Sequence, residues 1–185
     1  KALDYVFRLR PSGLLLMAPV CSSFSFCNMH NTKRNRDNVR GDESYAPVQK
    51  GNLMADIAGF FLCVALARKV HTVIENPVGS LIFSYLAPIT NLFGHLEFAT
   101  ADRCAYVNKK PGEVTYKKPY KFLVSGRWLR DRLRKCTCVG RQHAPLMVKN
   151  EKGQITGRAQ CLTESAAYPR ALGEAIIAAW QWNSF

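Results

Sequence analysis

Apolar positions along this 185-residue chain fall into blocks with different periods. Residues 1–10 set Leu3, Val6 and Phe7 at helical spacing, and Pro11-Ser12-Gly13 then interrupts them, so the end of an amphipathic helix is expected there. Residues 13–20 form a short continuous apolar run after that turn. This is the pattern of a strand buried on both faces of a parallel sheet. Residues 53–69 are apolar almost all round and predict a long buried helix. Residues 70–75 are short and β-branched, a strand that ends at the turn Asn76-Pro77. Strand, helix, strand is a βαβ rhythm, which implies a parallel pair with a right-handed crossover. A helix over 83–93 broken by Pro88, strands at 96–99 and 120–124, and a closing helix over 170–180 complete the prediction. Residues 28–50 carry no period and predict a mobile polar loop. The expected fold class is α/β, a mostly parallel sheet with helices on both faces, in a single domain spanning 1–185.

Composition narrows the functional classes. Apolar residues make up 48% and charged residues 21%, which is ordinary globular usage and excludes a disordered or low-complexity chain. The apolar stretch 53–67 contains Asp56 and falls short of the roughly 20 residues that cross a bilayer, so no membrane role is expected. No signal peptide is legible, because Asp4, Arg8 and Arg10 interrupt any apolar core near Lys1. The chain opens without Met and reads as a fragment or a processed product. Seven cysteines, an odd number, fit reduced thiols in the cytosol or nucleus better than a disulfide framework.

Charge supplies the first hint of a partner. Twenty-six Lys and Arg against 13 Asp and Glu give a net charge of +13, which points to a polyanion, nucleic acid before membrane. Residues 109–143 concentrate that charge in a basic segment with Tyr116, Tyr120, Phe122 and Trp128 interleaved. Those rings suit either base stacking or alternation into a sheet core. Lys33, Arg34, Arg36 and Arg40, with Lys117, Lys118 and Lys121, are the candidate phosphate contacts.

Two short stretches carry candidate chemistry. In Pro19-Val20-Cys21-Ser22-Ser23-Phe24-Ser25, a cysteine follows an apolar strand in a small-residue loop. It is either a buried filler or a nucleophile held for attack. In Glu75-Asn76-Pro77, a carboxylate ends the next strand. It is either part of a turn or a partly desolvated acid. Ligands of open α/β sheets gather beyond the carboxyl ends of the strands, where both stretches lie.

Together these stretches resemble the DNA cytosine-5 methyltransferases, in a divergent, phage-like form. That family's nucleophile loop reads Pro-Pro-Cys-Gln-x-Phe-Ser, and its acidic motif reads Glu-Asn-Val. Its closing helix follows Gly-Asn-Ser-Val-x-Pro, where this chain has Glu164-Ser165-Ala166-Ala167-Tyr168-Pro169. The resemblance implies a class I methyltransferase (Rossmann-like) fold. Cys21 would attack carbon 6 of a flipped cytosine and Glu75 would engage ring nitrogen 3, with Asn76 orienting the loop. Pro19, Tyr168 and Pro169 would border S-adenosylmethionine, and Ser22 and Ser23 would touch DNA.

The departures are specific. Val20 and Ser22 replace the second Pro and the Gln. The Gln-x-Arg-x-Arg motif is replaced by Asp102-Arg103-Cys104-Ala105-Tyr106, where Arg103 is the candidate to do its work. No glycine-rich cofactor loop precedes Cys21, so the cofactor half of the fold is expected to be missing. The alternative is a catalytically inactive methyltransferase-fold protein that binds nucleic acid or serves as a scaffold. No metal is expected. Cys136, Cys138 and His143, with Cys104 or Cys161, are donors that suit zinc, but their spacing is not a standard knuckle and scattered thiols are the plainer reading. His30, His71 and His95 show no evident partners in the sequence.

Overall fold

The computed structural model describes residues 1–108, 115–138, 143–149, 151, 153 and 155–183. Parts of the basic segment 109–143, including Lys109 and Lys110, lie outside the described residues. Among the described residues six α-helices run α1 (Ala2–Arg8), α2 (Met29–Thr32), α3 (Ala46–Ala67), α4 (Ile82–Thr90), α5 (Ala159–Glu164) and α6 (Arg170–Asn183). The strands among them run β1 (Leu14–Met17), β2 (His71–Pro77), β3 (Leu96–Asp102), β4 (Pro119–Ser125), β5 (Met147–Lys149) and β6 (Ile155–Gly157).

An open four-stranded sheet has the order β1-β2-β4-β3. β1 and β2 pair in parallel, with Leu14 opposite His71 and Met17 opposite Ile74. β4 runs antiparallel to both of its neighbours. The sheet is therefore mixed rather than mostly parallel. Alternation could not reveal this, because it marks which face a residue takes and not which way a strand runs.

Alternation does explain the two cores. Val73 and Glu75 of β2 point to one face, Ile74 and Asn76 to the other. On the first face, Leu172, Ile176 and Ala179, on one stripe of α6, pack over Val73, Tyr120, Phe122 and Val124. On the second, Ala55 and Leu62 of α3 and Ile82 and Leu86 of α4 pack over Ile74, Leu123 and Phe24. Full burial of each Leu or Ile contributes roughly 1.5–3 kcal/mol, so these two layers hold the sheet between helices. Tyr120 and Phe122 belong to this core, which answers the choice between stacking and burial for those rings.

Several expectations shift. β1 is an edge strand among the described residues and leaves Leu16 48% exposed, so it is not buried on both faces. α3 is also not buried all round, for Leu53, Ile57 and Phe60 face outward. At 22 residues α3 is long and apolar enough to cross a membrane by length and composition, although Val48, Ala55, Leu62 and Ala65 are buried within the fold. Its end is set by backbone bonding. The Lys69 N–H donates to Leu66 O at 3.0 Å and the Val70 N–H to Ala65 O at 2.9 Å, with Lys69 at φ +58°. That cap turns the chain directly into β2. α4 runs through Pro88 to Thr90 near its last turn. β5 and β6 form a separate antiparallel hairpin that the sequence pattern did not announce.

Candidate active site

The loop after β1 is anchored at several points. Cys21 opens a 3-10 turn, Ser22–Phe24, closed by the Phe24 N–H donating to Cys21 O at 3.0 Å. Phe24 is buried in the α3–α4 core and meets Tyr85 edge-on at 5.5 Å between centroids. The Leu81 N–H donates to Phe24 O at 3.0 Å. Asn76 fixes the loop's entry, its Nδ2 donating to Pro19 O at 2.8 Å and to Glu75 O at 2.9 Å. The last residues of β2 thus clamp the chain just before Cys21.

Beneath the loop lies a buried guanidinium. Arg34 is only 1% exposed. Its Nη2 donates to Asn52 Oδ1 at 2.9 Å, to Val48 O at 3.3 Å and to Ser23 Oγ at 3.4 Å, and its Nη1 donates to Val39 O. The plane stacks over the Phe24 ring at 3.9 Å. Arg34 is therefore a structural support and not a phosphate contact. Ser23 is buried with it, so it too is withdrawn from DNA. The segment 28–50 is organised around this side chain instead of forming a loose loop. Gly51 completes the contact, since a Cβ there would collide with Ser23 Oγ and lie 3.1 Å from Ser23 Cβ.

Glu75 is 3% exposed on the α6 face of β2. The Tyr168 hydroxyl, just before α6, donates to its Oε2. Its Oε1 and Asn76 Oδ1 are buried and have no hydrogen-bond partner among the described residues. Burial pushes the Glu75 carboxyl above its ordinary value, against the opposing pull of Tyr168 and Lys118. Burial also pushes the Cys21 thiol up, and nearby Glu75 adds to this while Lys118 opposes it. The two groups therefore share one electrostatic environment. Tyr168 is raised for the same reasons, burial first and then its bond to Glu75.

Lys118 and Arg103 extend the cluster. Lys118 Nζ donates to Ser165 O at 3.2 Å, and its charge favours both the thiolate and the carboxylate. The sequence placed Lys118 only among phosphate contacts. Its position beside β4, opposite the end of β2, brings it to Cys21. Arg103, at the carboxyl end of β3, acts electrostatically on Tyr120, whose ring lies 5.6 Å from that of Tyr168. Tyr120 also feels the Glu75 charge, so Arg103 joins the cluster through that residue.

The remaining candidates divide. Ser22, Lys33, Arg36 and Lys117 are exposed. Arg40 is exposed but ion-paired with Glu43 at 2.5 Å. Lys121 points to the α4 face, its ammonium 3.8 Å from the Phe98 ring centroid, so its charge is engaged by aromatic rings. Tyr168 and Pro169 line an open groove of about 440 Å³ with Arg103, Asn108, Arg170 and Glu174. Pro19 does not line it, being buried and bonded to Asn76. The thiols of Cys104, Cys136 and Cys138 converge with His143, whereas Cys161 interacts with Tyr116. Burial and the two neighbouring thiols push Cys104 up to about 12. His71 packs edge-on to Trp128 at 5.8 Å.

Compared with protein-family models, with curated proteins and with solved structures, the chain matches none.

Proposed function

We propose that this chain is a DNA cytosine-5 methyltransferase-like protein, with a class I methyltransferase-like arrangement, whose Cys21–Glu75 cluster engages a cytosine flipped out of the duplex. One observation carries the reading. A loop cysteine and a buried carboxyl, held above its ordinary value by burial, stand at the carboxyl ends of adjacent parallel strands, with Asn76 bonding the chain before the one to the strand that carries the other. The Cys21 sulfur, as thiolate, bonds to carbon 6 of the ring. The electron pair of the 5,6 double bond moves toward carbon 5 as Glu75 delivers its proton to ring nitrogen 3. Lys118 favours the thiolate that begins the step. Lys33, Arg36 and Lys117 hold phosphates.

The described residues support this base-activating half of the reaction. S-adenosylmethionine enters through the resemblance alone, because the groove beside Tyr168 suits it poorly. Arg103 and Arg170 line it, whereas the ligand's sulfonium is itself cationic, and the Glu174 carboxylate is already bonded to Arg170 at 2.7 Å.

The test separates the two halves. DNA carrying cytosine tritiated at carbon 5 loses tritium to water when a thiolate adds at carbon 6, with no methyl donor present. Exchange is expected from the wild type and is abolished by Cys21→Ser and by Glu75→Gln. A duplex with 5-fluorocytosine and S-adenosylmethionine then reports methyl transfer as a trapped adduct at Cys21. DNA binding without exchange would overturn the catalytic reading. It would favour a non-catalytic methyltransferase-fold protein that binds nucleic acid or serves as a scaffold. The observation on that side is that Cys21 and Glu75 are both raised by burial, and Tyr168 caps Glu75.

A further inference from the structure

Three thiols and an imidazole, one from the turn after β3 and three from residues 136–143, meet beside the end of β3. Cys104 is buried in the 3-10 turn Arg103–Tyr106 that directly follows β3. Cys136 and Cys138 come from the basic stretch that passes alongside. His143 is held by a bridge to Thr115, and the next residue, Ala144, donates its N–H to Thr115 O at 3.0 Å. The four donor atoms all lie within 4.8 Å of one another, and Cys136 Sγ is 3.7 Å from His143 Nε2. Tetrahedral zinc, with Zn–S of about 2.3 Å and Zn–N of about 2.0–2.1 Å, sets S···N edges near 3.5 Å and S···S edges near 3.8 Å. The donor set thus needs only a contraction of about an ångström to close on an ion.

We propose that Cys104, Cys136, Cys138 and His143 form a structural zinc site. The proposal goes beyond the methyltransferase reading and does not depend on it. The backbone already brings the donors together. The Cys136 N–H donates to Asp102 Oδ2 at 2.9 Å, the Arg134 N–H to the Tyr106 hydroxyl at 2.5 Å, and Lys135 Nζ to Thr100 O at 2.6 Å. These bonds order the approach of residues 134–136 to β3 without any metal. Thiolate and imidazole donors select zinc over magnesium or calcium, which require oxygen. Four protein ligands leave no open position, so the role is structural rather than catalytic. Zinc with three thiolates and a neutral imidazole carries one net negative charge, which Lys135 and Arg134 in the same stretch offset. The ion would pin the basic segment to the end of β3, immediately beside Arg103.

The test uses the full chain, purified under reducing conditions. One zinc per chain is expected by elemental mass spectrometry. X-ray absorption at the zinc edge is expected to show three sulfurs at about 2.3 Å and one nitrogen at about 2.0–2.1 Å. Alkylation mapped by mass spectrometry should leave Cys136 and Cys138 protected until a chelator is added, while Cys27 reacts at once. Cys136→Ser and Cys138→Ser should lose the zinc, and Cys161→Ser should keep it. If those variants fail to fold, the absorption spectrum and the alkylation pattern of the wild type decide. Substoichiometric zinc, a shell with fewer than three sulfurs, or a disulfide joining any two of the three cysteines would overturn the proposal.

Discussion

Replacing Gly51 by alanine puts a methyl group where α3 presses against the Cys21 loop. Two effects oppose one another. Alanine in a helix interior gains about 1 kcal/mol over glycine. The added Cβ would collide with Ser23 Oγ and sit 3.1 Å from Ser23 Cβ and 3.2 Å from Arg34 Nη2. Both neighbours are buried, and Arg34 is fixed by four acceptors, so neither can step aside cheaply. Overpacking of this kind costs about 1–3 kcal/mol, and the fixed neighbours place it at the upper end. The net expectation is a loss of about 2 kcal/mol. For a chain of this size that corresponds to a melting temperature lower by roughly 4–8 °C. Urea denaturation followed by circular dichroism measures the free energy directly. Ser23→Ala removes the colliding oxygen, so the double variant should be less destabilised than the sum of the singles, with a coupling of about 1 kcal/mol. A Gly51→Ala protein that melts at or above the wild type, as helix propensity alone would give, refutes the close approach of α3 to the Cys21 loop.

Two further expectations follow from the same cluster. Arg34→Met should cost about 3 kcal/mol or more in urea denaturation, because several buried acceptors lose a charged donor. It should leave the salt dependence of DNA binding unchanged, whereas Arg36→Ala should flatten that slope by about one unit; the reverse pattern would return Arg34 to the surface. For Glu75, burial raises the folded-state value above the unfolded one. At acid pH the carboxyl is protonated in both states and has no pH-dependent effect. As pH rises through the window between the two values, the unfolded state ionises first, and the wild type loses stability that Glu75→Gln keeps. The melting temperature of Glu75→Gln relative to wild type should therefore climb as pH rises above the ordinary carboxylate range, and a flat or falling difference would show that Glu75 is not desolvated.

Local pattern made much of the framework legible. The apolar run before Cys21, the β-branched run before Asn76 and the stripe of Leu172, Ile176 and Ala179 each depend on neighbours a few residues apart. They correctly placed β1, β2 and α6. The parallel β1–β2 pair with α3 between them was readable too, because a short strand, a long helix and a second strand admit few other connections. This placed Cys21 and Glu75 at the same end of the sheet.

What required the tertiary structure involves partners distant along the chain. The antiparallel course of β4 depends on which edges are free to pair, and that is a property of the assembled sheet. Arg34 looked like one more cation in a basic loop. Only the arrival of Ser23, Val48 and Asn52 around it makes it a buried support. Tyr168 reaches Glu75 across 93 residues, and Lys118 reaches Cys21 because β4 inserts beside β2. Cys136, Cys138 and His143, close together in sequence, were already legible as donors, and only the fold chooses Cys104 over Cys161 as the fourth. Periodicity records which face of an element a residue occupies, while the neighbours across that face are set by how the elements pack.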